Sequence, residues 1–570
     1  MIKPLSSALL LVSVGCFAHA EPVKSFPDGP DTVRLVISGD ISLSSAQSME
    51  RTSSVSHKAK GLSTIEVNAG EADAMIQLLS QQPGIRAVER DIVTSTPPTP
   101  APGPKQLQQM AEAMGLTQSA DLIGNEPNDP QYINQYSWSE PSGFYPGQHD
   151  ILSAYKSSVP LRKLRIGMTD SGFYDREDID YAGGYNFSTL AGAEVSPIFF
   201  EDAYNPECTS PHGGSVAHII GANTDNGVGV AGIVDADLYG VRVMNCGTGL
   251  LSEMSNGIRW LAGDTSLPGV TPIDEPVDII NVSMGALVDS CPVYVQDAID
   301  FAYNQGVAVV AAAGNDGVDA AGYTPANCNN LITVASVDRQ RTQSDFTNFG
   351  SVIDVSALGE LVMSEGSTGY SFWFGTSFST PNVVGMAGLA KQADPSMTVN
   401  ELFGYVTSAT RAFEAGETEN SLGSGNMDAK LLMDTVNADI AANTPLLRPA
   451  LDGSIQCQEA ILSGVPFIDG SGDPVDACAI FEIDTASVEE NPAYPNYSLY
   501  RVPQGTSYAL SNAELVKAST DRQFVLYNLD PQTYDYGFVA CDLTNSSCAS
   551  TTLTPVKDDL MDESRYCVKP

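Results

Sequence analysis

The sequence predicts an α/β protein built on an open parallel sheet, preceded by a small α+β unit and followed by a β-rich segment. Three observations carry this. Between residues 127 and 437, apolar strand-like runs alternate with helical stretches across glycine-rich turns, the pattern of a parallel sheet covered by helices. Ahead of that block, 33–39 and 64–68 read as strands, 71–82 as an amphipathic helix and 85–93 as a closing strand. Beyond residue 438 helical periodicity fades, and short alternating segments such as 497–501 and 523–526 read as strands.

Taken in chain order, the amino end carries Lys3, an apolar run over 8–14 and small residues at Ala18 and Ala20, which reads as a cleaved secretory signal over 1–20. Lipid attachment at Cys16 is the rival reading, against which Ser13 stands where an aliphatic residue is usual. The α+β unit fills 21–94. The next segment, 95–126, opens with STPPTPAPGP, whose prolines favour an extended linker. The α/β block over 127–437 holds the candidate chemistry, and 438–570 forms the β-rich tail. No later apolar run reaches the ~20 residues that span a bilayer.

Acidic residues outnumber basic ones 69 to 28 in a chain of 570, a formal charge of −41. Such a field repels nucleic acid and anionic lipid, so a nucleic-acid-binding role is excluded. With 42% hydrophobic and 17% charged residues, the composition is that of a soluble globular protein. Removing Cys16 with the leader leaves nine of the ten cysteines, none in a CxxC pair, which argues against zinc-ribbon and redox motifs. In an exported chain they are expected to form disulfides, with at least one thiol left over.

Three histidines lie beyond the α+β unit: His149, His212 and His218. His212 opens the helical run HGGSVAHIIGA after a polar turn, and His218 follows six residues on. The strand-like segment LRIGMTD ends on Asp170, which sets a carboxylate at the carboxyl edge of the sheet, where ligands bind in such folds. Ser377 follows a Gly375-Thr376 turn and feeds a helix of small residues. Each is ambiguous alone, since an aspartate or serine beside a helix start is often only a cap. Their order, Asp then His then Ser, differs from that of chymotrypsin-like enzymes and α/β-hydrolases, and no G-x-S-x-G pentapeptide is present.

These three segments, together with VDIINVSMG at 277–285, GVAVVAAAGNDG at 306–317 and SDFTNFGSVIDVSALGE at 344–360, resemble the subtilase (subtilisin-like) family over residues 128–436. The resemblance implies a seven-stranded parallel sheet with flanking helices and a secreted serine endopeptidase working through an acyl-enzyme. Ser377 would be the nucleophile, His212 its base, Asp170 the orienting acid and Asn315 the oxyanion donor. It also implies substrate backbone contacts at Ser283, Met284 and Gly285 and at Gly247, Thr248 and Gly249, with Ala312, Ala313 and Gly314 lining a pocket for apolar side chains.

The unit at 21–94 resembles the family's inhibitory propeptide, which leaves its carboxyl end in the cleft. Cys291 with Cys328, and Cys208 with Cys246, resemble disulfide pairs of extracellular subtilases from Gram-negative bacteria. No cofactor is implied for catalysis. Structural calcium is, with Asp178 and Asp129 as candidate ligands. The implied partners are protein or peptide substrates and the chain's own propeptide, with no nucleic acid, no membrane span and a monomeric chain. Two departures stand out: the family's H-G-T-H-V-A-G is here H-G-G-S-V-A-H, so Ser215 and His218 replace its histidine and its second glycine.

Overall fold

The computed structural model describes residues 32–39, 55–59, 61–95 and 126–443, apart from 159, 161, 191–194, 201–211, 246, 367–368, 414–417 and 419, together with strands between 447 and 568. The first unit has strands β1 (Thr32–Gly39), β2 (Val55–Ala59), β3 (Leu62–Asn68) and β4 (Ile85–Arg90) in the spatial order β2-β3-β1-β4, with helix α1 (Ala72–Ser80) on one face. Alternation along β1 explains the packing. Leu35 and Ile37 meet Ile65, Val67 and the α1 residues Ala72 and Leu79, whereas Val36 and Leu62 turn the other way and join a core of the large domain. This strand is buried on both faces because its second face is docked.

The expected closing strand over 85–93 divides in two. β4 ends at Arg90, Asp91 breaks the run by accepting Ile92 N–H, and the chain restarts as β5 (Val93–Ser95) in a different sheet.

The large domain is centred on one sheet. Its strands β6 (Leu164–Asp170), β7 (Tyr181–Asn186) and β8 (Ala236–Arg242) are followed by the short strands β9 (Met244–Asn245) and β10 (Thr248–Leu250), which belong to the β5 sheet. The main sheet continues through β11 (Ile279–Val282), while β12 (Ala286–Leu287) and β14 (Tyr323–Thr324) pair apart from it; β13 (Ala308–Ala312), β15 (Ile332–Val337) and β16 (Val355–Leu358) complete its centre. A hairpin of β17 (Val362–Gly366) and β18 (Gly369–Trp373) follows, then β19 (Thr410–Arg411) and β20 (Asn426–Met427).

The spatial order β19-β20-β16-β15-β13-β11-β6-β8-β7 makes nine strands rather than the expected seven. The seven from β16 to β7 are parallel to their neighbours. The two extra are two-residue strands added at the β16 edge, β20 parallel and β19 antiparallel to β20.

Helices cover both faces. α2 (Ile151–Ser157), α3 (His212–Gly221), α6 (Thr376–Ala393), α7 (Val399–Ser408) and α8 (Ala429–Asn443) share one apolar core with Ile166, Leu238, Val310 and Val334. α4 (Leu251–Leu261) and α5 (Val293–Asn304) share the other with Val241, Ile280 and Val309. α6 is buried along its whole length, which its small residues permit: a Cβ on Gly385 would stand 2.6 Å from Ile233. Strands beyond residue 447 form two four-stranded antiparallel sheets, in keeping with a β-rich tail. No helix among the described residues is long and apolar enough to cross a membrane.

Candidate active site

The site is assembled where β6, α3 and α6 meet. Asp170 is the last residue of β6 and is fully buried; its Oδ1 accepts Ser171 N–H at 2.6 Å and lies 2.7 Å from Nδ1 of His212, the first residue of α3. The helix start presses directly on the strand end. A Cβ on Gly213 would sit 2.9 Å from the carbonyls of Ser171 and Gly172, so glycine after His212 is what permits the Asp–His contact. The far ring nitrogen of His212, Nε2, is buried with no hydrogen-bond partner.

Ser377 is the second residue of α6. The ring of its neighbour Phe378 packs edge-on against His212 at 5.4 Å between centroids. Gly375 has φ 135°, open to glycine, and ends the approach to α6. Within that helix Pro381 has no N–H to give the carbonyl of Ser377 four residues back. Ser283 Oγ donates to that carbonyl at 3.0 Å instead, while Ser377 Oγ donates to the carbonyl of Ser283 at 3.2 Å. A reciprocal pair of bonds thus fixes the start of α6 against residue 283.

Asn315 stands beside this turn. Its Oδ1 accepts both the N–H of Thr376 at 2.9 Å and the Thr376 hydroxyl at 2.8 Å, which orients the amide and leaves Nδ2 facing Gly375, 2.9 Å from where a Cβ would be. Asp170, His212, Asn315 and Ser377 are therefore brought together.

The substrate-edge candidates divide by function of backbone and side chain. Ser283, Met284, Ala312 and Ala313 are fully buried, and Gly314, at φ 101°, lies flush on Tyr323 and Asn348. What Gly285 and 248–250 offer is main chain. β5 lies between them: Ser95 and Gly285 exchange N–H···O bonds at 3.2 Å each, Thr94 Oγ1 donates to Gly285 O at 2.8 Å, and Val93–Ser95 pairs antiparallel with Thr248–Leu250. The end of the small unit occupies both edges as an added strand.

Side chains missed in the sequence secure that docking. Arg34 of β1 lies 3.6 Å from Glu253 of α4; Asp91 accepts the hydroxyl of Ser252 at 2.5 Å; Glu89 accepts Val293 N–H at 2.9 Å at the start of α5; Arg86 pairs with Asp297. Burial raises the carboxyls of Asp91 and Glu89 and pushes Glu253 up to about 7. Nothing local in the sequence joins these residues, which lie more than 150 positions apart.

Cys291 and Cys328 form a disulfide with Cα atoms 5.1 Å apart. Cys208, Cys246, Cys16, the leader and the linker over 96–125 lie outside the described residues. Of the two calcium candidates, Asp129 accepts Asp225 N–H, and Asp178 gathers with His218 and Glu365.

An open parallel sheet with an acid, an imidazole and a hydroxyl collected at its carboxyl edge defines a doubly wound α/β protein with a serine, histidine and aspartate constellation. The profile of the subtilase family matches residues 162–425. An extracellular protease of Xanthomonas campestris pv. campestris is 37% identical over 197 residues, 33% of this chain and 34% of that protein. Thermitase of Thermoactinomyces vulgaris is 38% identical over 208 residues, 36% of this chain and 70% of thermitase. A solved protease structure from Pseudoalteromonas arctica PAMC 21717 aligns with TM-score 0.50 at 32% identity, covering 54% of this chain and 99% of that one. The chain belongs to the subtilase family. It spans about a third of the length of the Xanthomonas relative.

Proposed function

We propose that this chain is a secreted serine endopeptidase of extracellular proteins, made as a precursor that its own first unit holds inhibited. The observation that carries the reading is the buried Asp170–His212 bond, which leaves Nε2 of His212 unpartnered on a ring packed against Phe378, the residue after Ser377. With Nδ1–H donated to the carboxylate, the imidazole is held in the tautomer whose Nε2 can accept a proton. Rotation of Ser377 Oγ from the Ser283 carbonyl toward Nε2 makes it a nucleophile. As it attacks a scissile carbonyl, its proton passes to His212, Asp170 steadies the imidazolium, and Nδ2 of Asn315 meets the oxyanion. His212 then gives the proton to the leaving amine, and water, activated the same way, releases the acyl group. Every step uses the chain's own residues.

The place of β5 supports the inhibitory role of residues 21–94 and the identity of both substrate edges, because an extended peptide adds there through main-chain bonds. Secretion is supported by the amino-terminal pattern over 1–20 and by relatives described as extracellular proteases. The test is casein hydrolysis by the matured protein and by Ser377→Ala. A fall of ~10⁶ in turnover, the scale known for the nucleophile of subtilisin itself, is expected; equal rates would overturn the assignment.

A further inference from the structure

We propose that Asp178, His218 and Glu365 form a site for a divalent transition-metal ion of the zinc class, tying the helix that carries His212 to the hairpin that leads into Ser377. The three residues come from separate places: the turn before β7, the last turn of α3 and strand β17. One ligand atom from each lies within 4.8 Å of the others. A zinc ion sits ~2.0–2.2 Å from nitrogen and oxygen ligands, so small side-chain rotations close the set around one ion, with a fourth position left for water.

The chemistry of His218 favours a cation. Its Nδ1 lies 2.8 Å from the carbonyl of Gly214, a bond only Nδ1–H can make. In the neutral ring this leaves a lone pair on Nε2, as in metal-binding histidines oriented by a carbonyl. That nitrogen is 3.1 Å from Glu365 Oε2, yet the two atoms are not aligned for a hydrogen bond, and both are buried without a hydrogen-bond partner. Two lone pairs facing each other in a buried space need a positive charge between them, either a proton or a metal.

The remaining neighbours are already committed. Asn226 Nδ2 and Val230 N–H donate to Asp178 at 2.9 Å each, leaving further lone pairs on its oxygens, and Arg176 Nε stands 3.9 Å from Glu365 Oε1. The frame is rigid. Ser215 Oγ donates to the carbonyl of Glu365 and Ser364 Oγ to that of Ser215, both at 2.7 Å. One imidazole with two carboxylates suits zinc and its neighbours, whereas calcium demands six to eight oxygens. The proposal is independent of the proteolytic reading.

The full-length Ser377→Ala protein, stripped with chelator, is titrated by calorimetry with Zn²⁺ and separately with Ca²⁺, and Co²⁺ serves as an optical probe. The expected result is one Zn²⁺ per chain with Kd of about 1 μM or tighter. Millimolar Ca²⁺ should fail to compete, and His218→Gln should weaken binding about 100-fold. Absence of stoichiometric Zn²⁺ binding would overturn the site. So would unchanged affinity in His218→Gln, which would assign the ion to His212 or surface acids. If that variant does not fold, Glu365→Gln and the Co²⁺ spectrum of the parent decide: undiminished binding, or a spectrum of oxygen ligands alone, refutes it.

Discussion

Docking of the first unit should weaken as pH rises, and Glu253 supplies the clearest handle. It lies in the first turn of α4, 3% exposed, where its Oε1 accepts the N–H and the hydroxyl of Thr189 while Oε2 is buried without a partner. Burial pushes its carboxyl from 4.5 up to about 7, even with Arg34 nearby. Undocking removes Arg34 and the strands above it and returns the group to water.

The docked state therefore holds a proton that the undocked state releases. This contribution is fully present below pH 4.5 and is lost as pH climbs through about 7. At 1.36 kcal/mol per pH unit of displacement, its ceiling is about 3 kcal/mol, or about two orders of magnitude in the opening equilibrium. Asp91 and Glu89, raised by the same burial, act in the same direction.

Hydrogen exchange of the β1 and β3 amides in full-length Ser377→Ala between pH 5 and 8, corrected for intrinsic rates, reads the opening directly. Exchange should accelerate with pH, and Glu253→Gln should flatten most of the trend. A flat profile in the parent, or an equal slope in the variant, would refute the reasoning.

Asn315→Ala should lower kcat by about 10²–10³, the loss known for the equivalent donor of subtilisin, with KM little changed. Thr376→Val removes the hydroxyl that holds Asn315 Oδ1 but not the donor, so stopped-flow acylation should show a smaller loss in the same step. Gly229→Ala places a Cβ 1.9 Å from Asp178 Oδ2 at φ 61°, and urea unfolding should report a destabilisation of about 2 kcal/mol or more. Replacing both Cys291 and Cys328 by Ser opens a loop of 37-residue separation; loop entropy predicts a loss of about 4 kcal/mol, measurable as a lower unfolding midpoint.

Local pattern made much of the molecule legible. The alternation in 33–39 and 64–68 gave β1 and β3, and the apolar run ending on Asp170 gave β6 and the position of its carboxylate. Order and glycine context brought Asp170, His212 and Ser377 forward together. β5 was hidden because Val93, Thr94 and Ser95, a three-residue segment just before a proline tract, are too short to carry a strand signal of their own; their pairing comes from edges over 150 residues away. The partners of His218 were hidden too, since they come from two other segments of the chain. A histidine in place of glycine was visible at position 218, but Glu365 reaches it only because β17 folds back along α3.

β5 is held between Gly285 and residues 248–250 largely by main-chain bonds, a mode that nearly any extended segment can share. Its advantage over an outside peptide is concentration. While the connection to the large domain is intact, β5 competes at an effective level that for flexible tethers reaches the millimolar range. Once the chain beyond Ser95 is cut, the same contacts must hold against dilution. On the inhibitory role proposed for the first unit, latency then depends on how far the protein has spread from where it was made, and the onset of activity becomes a measure of distance as much as of time.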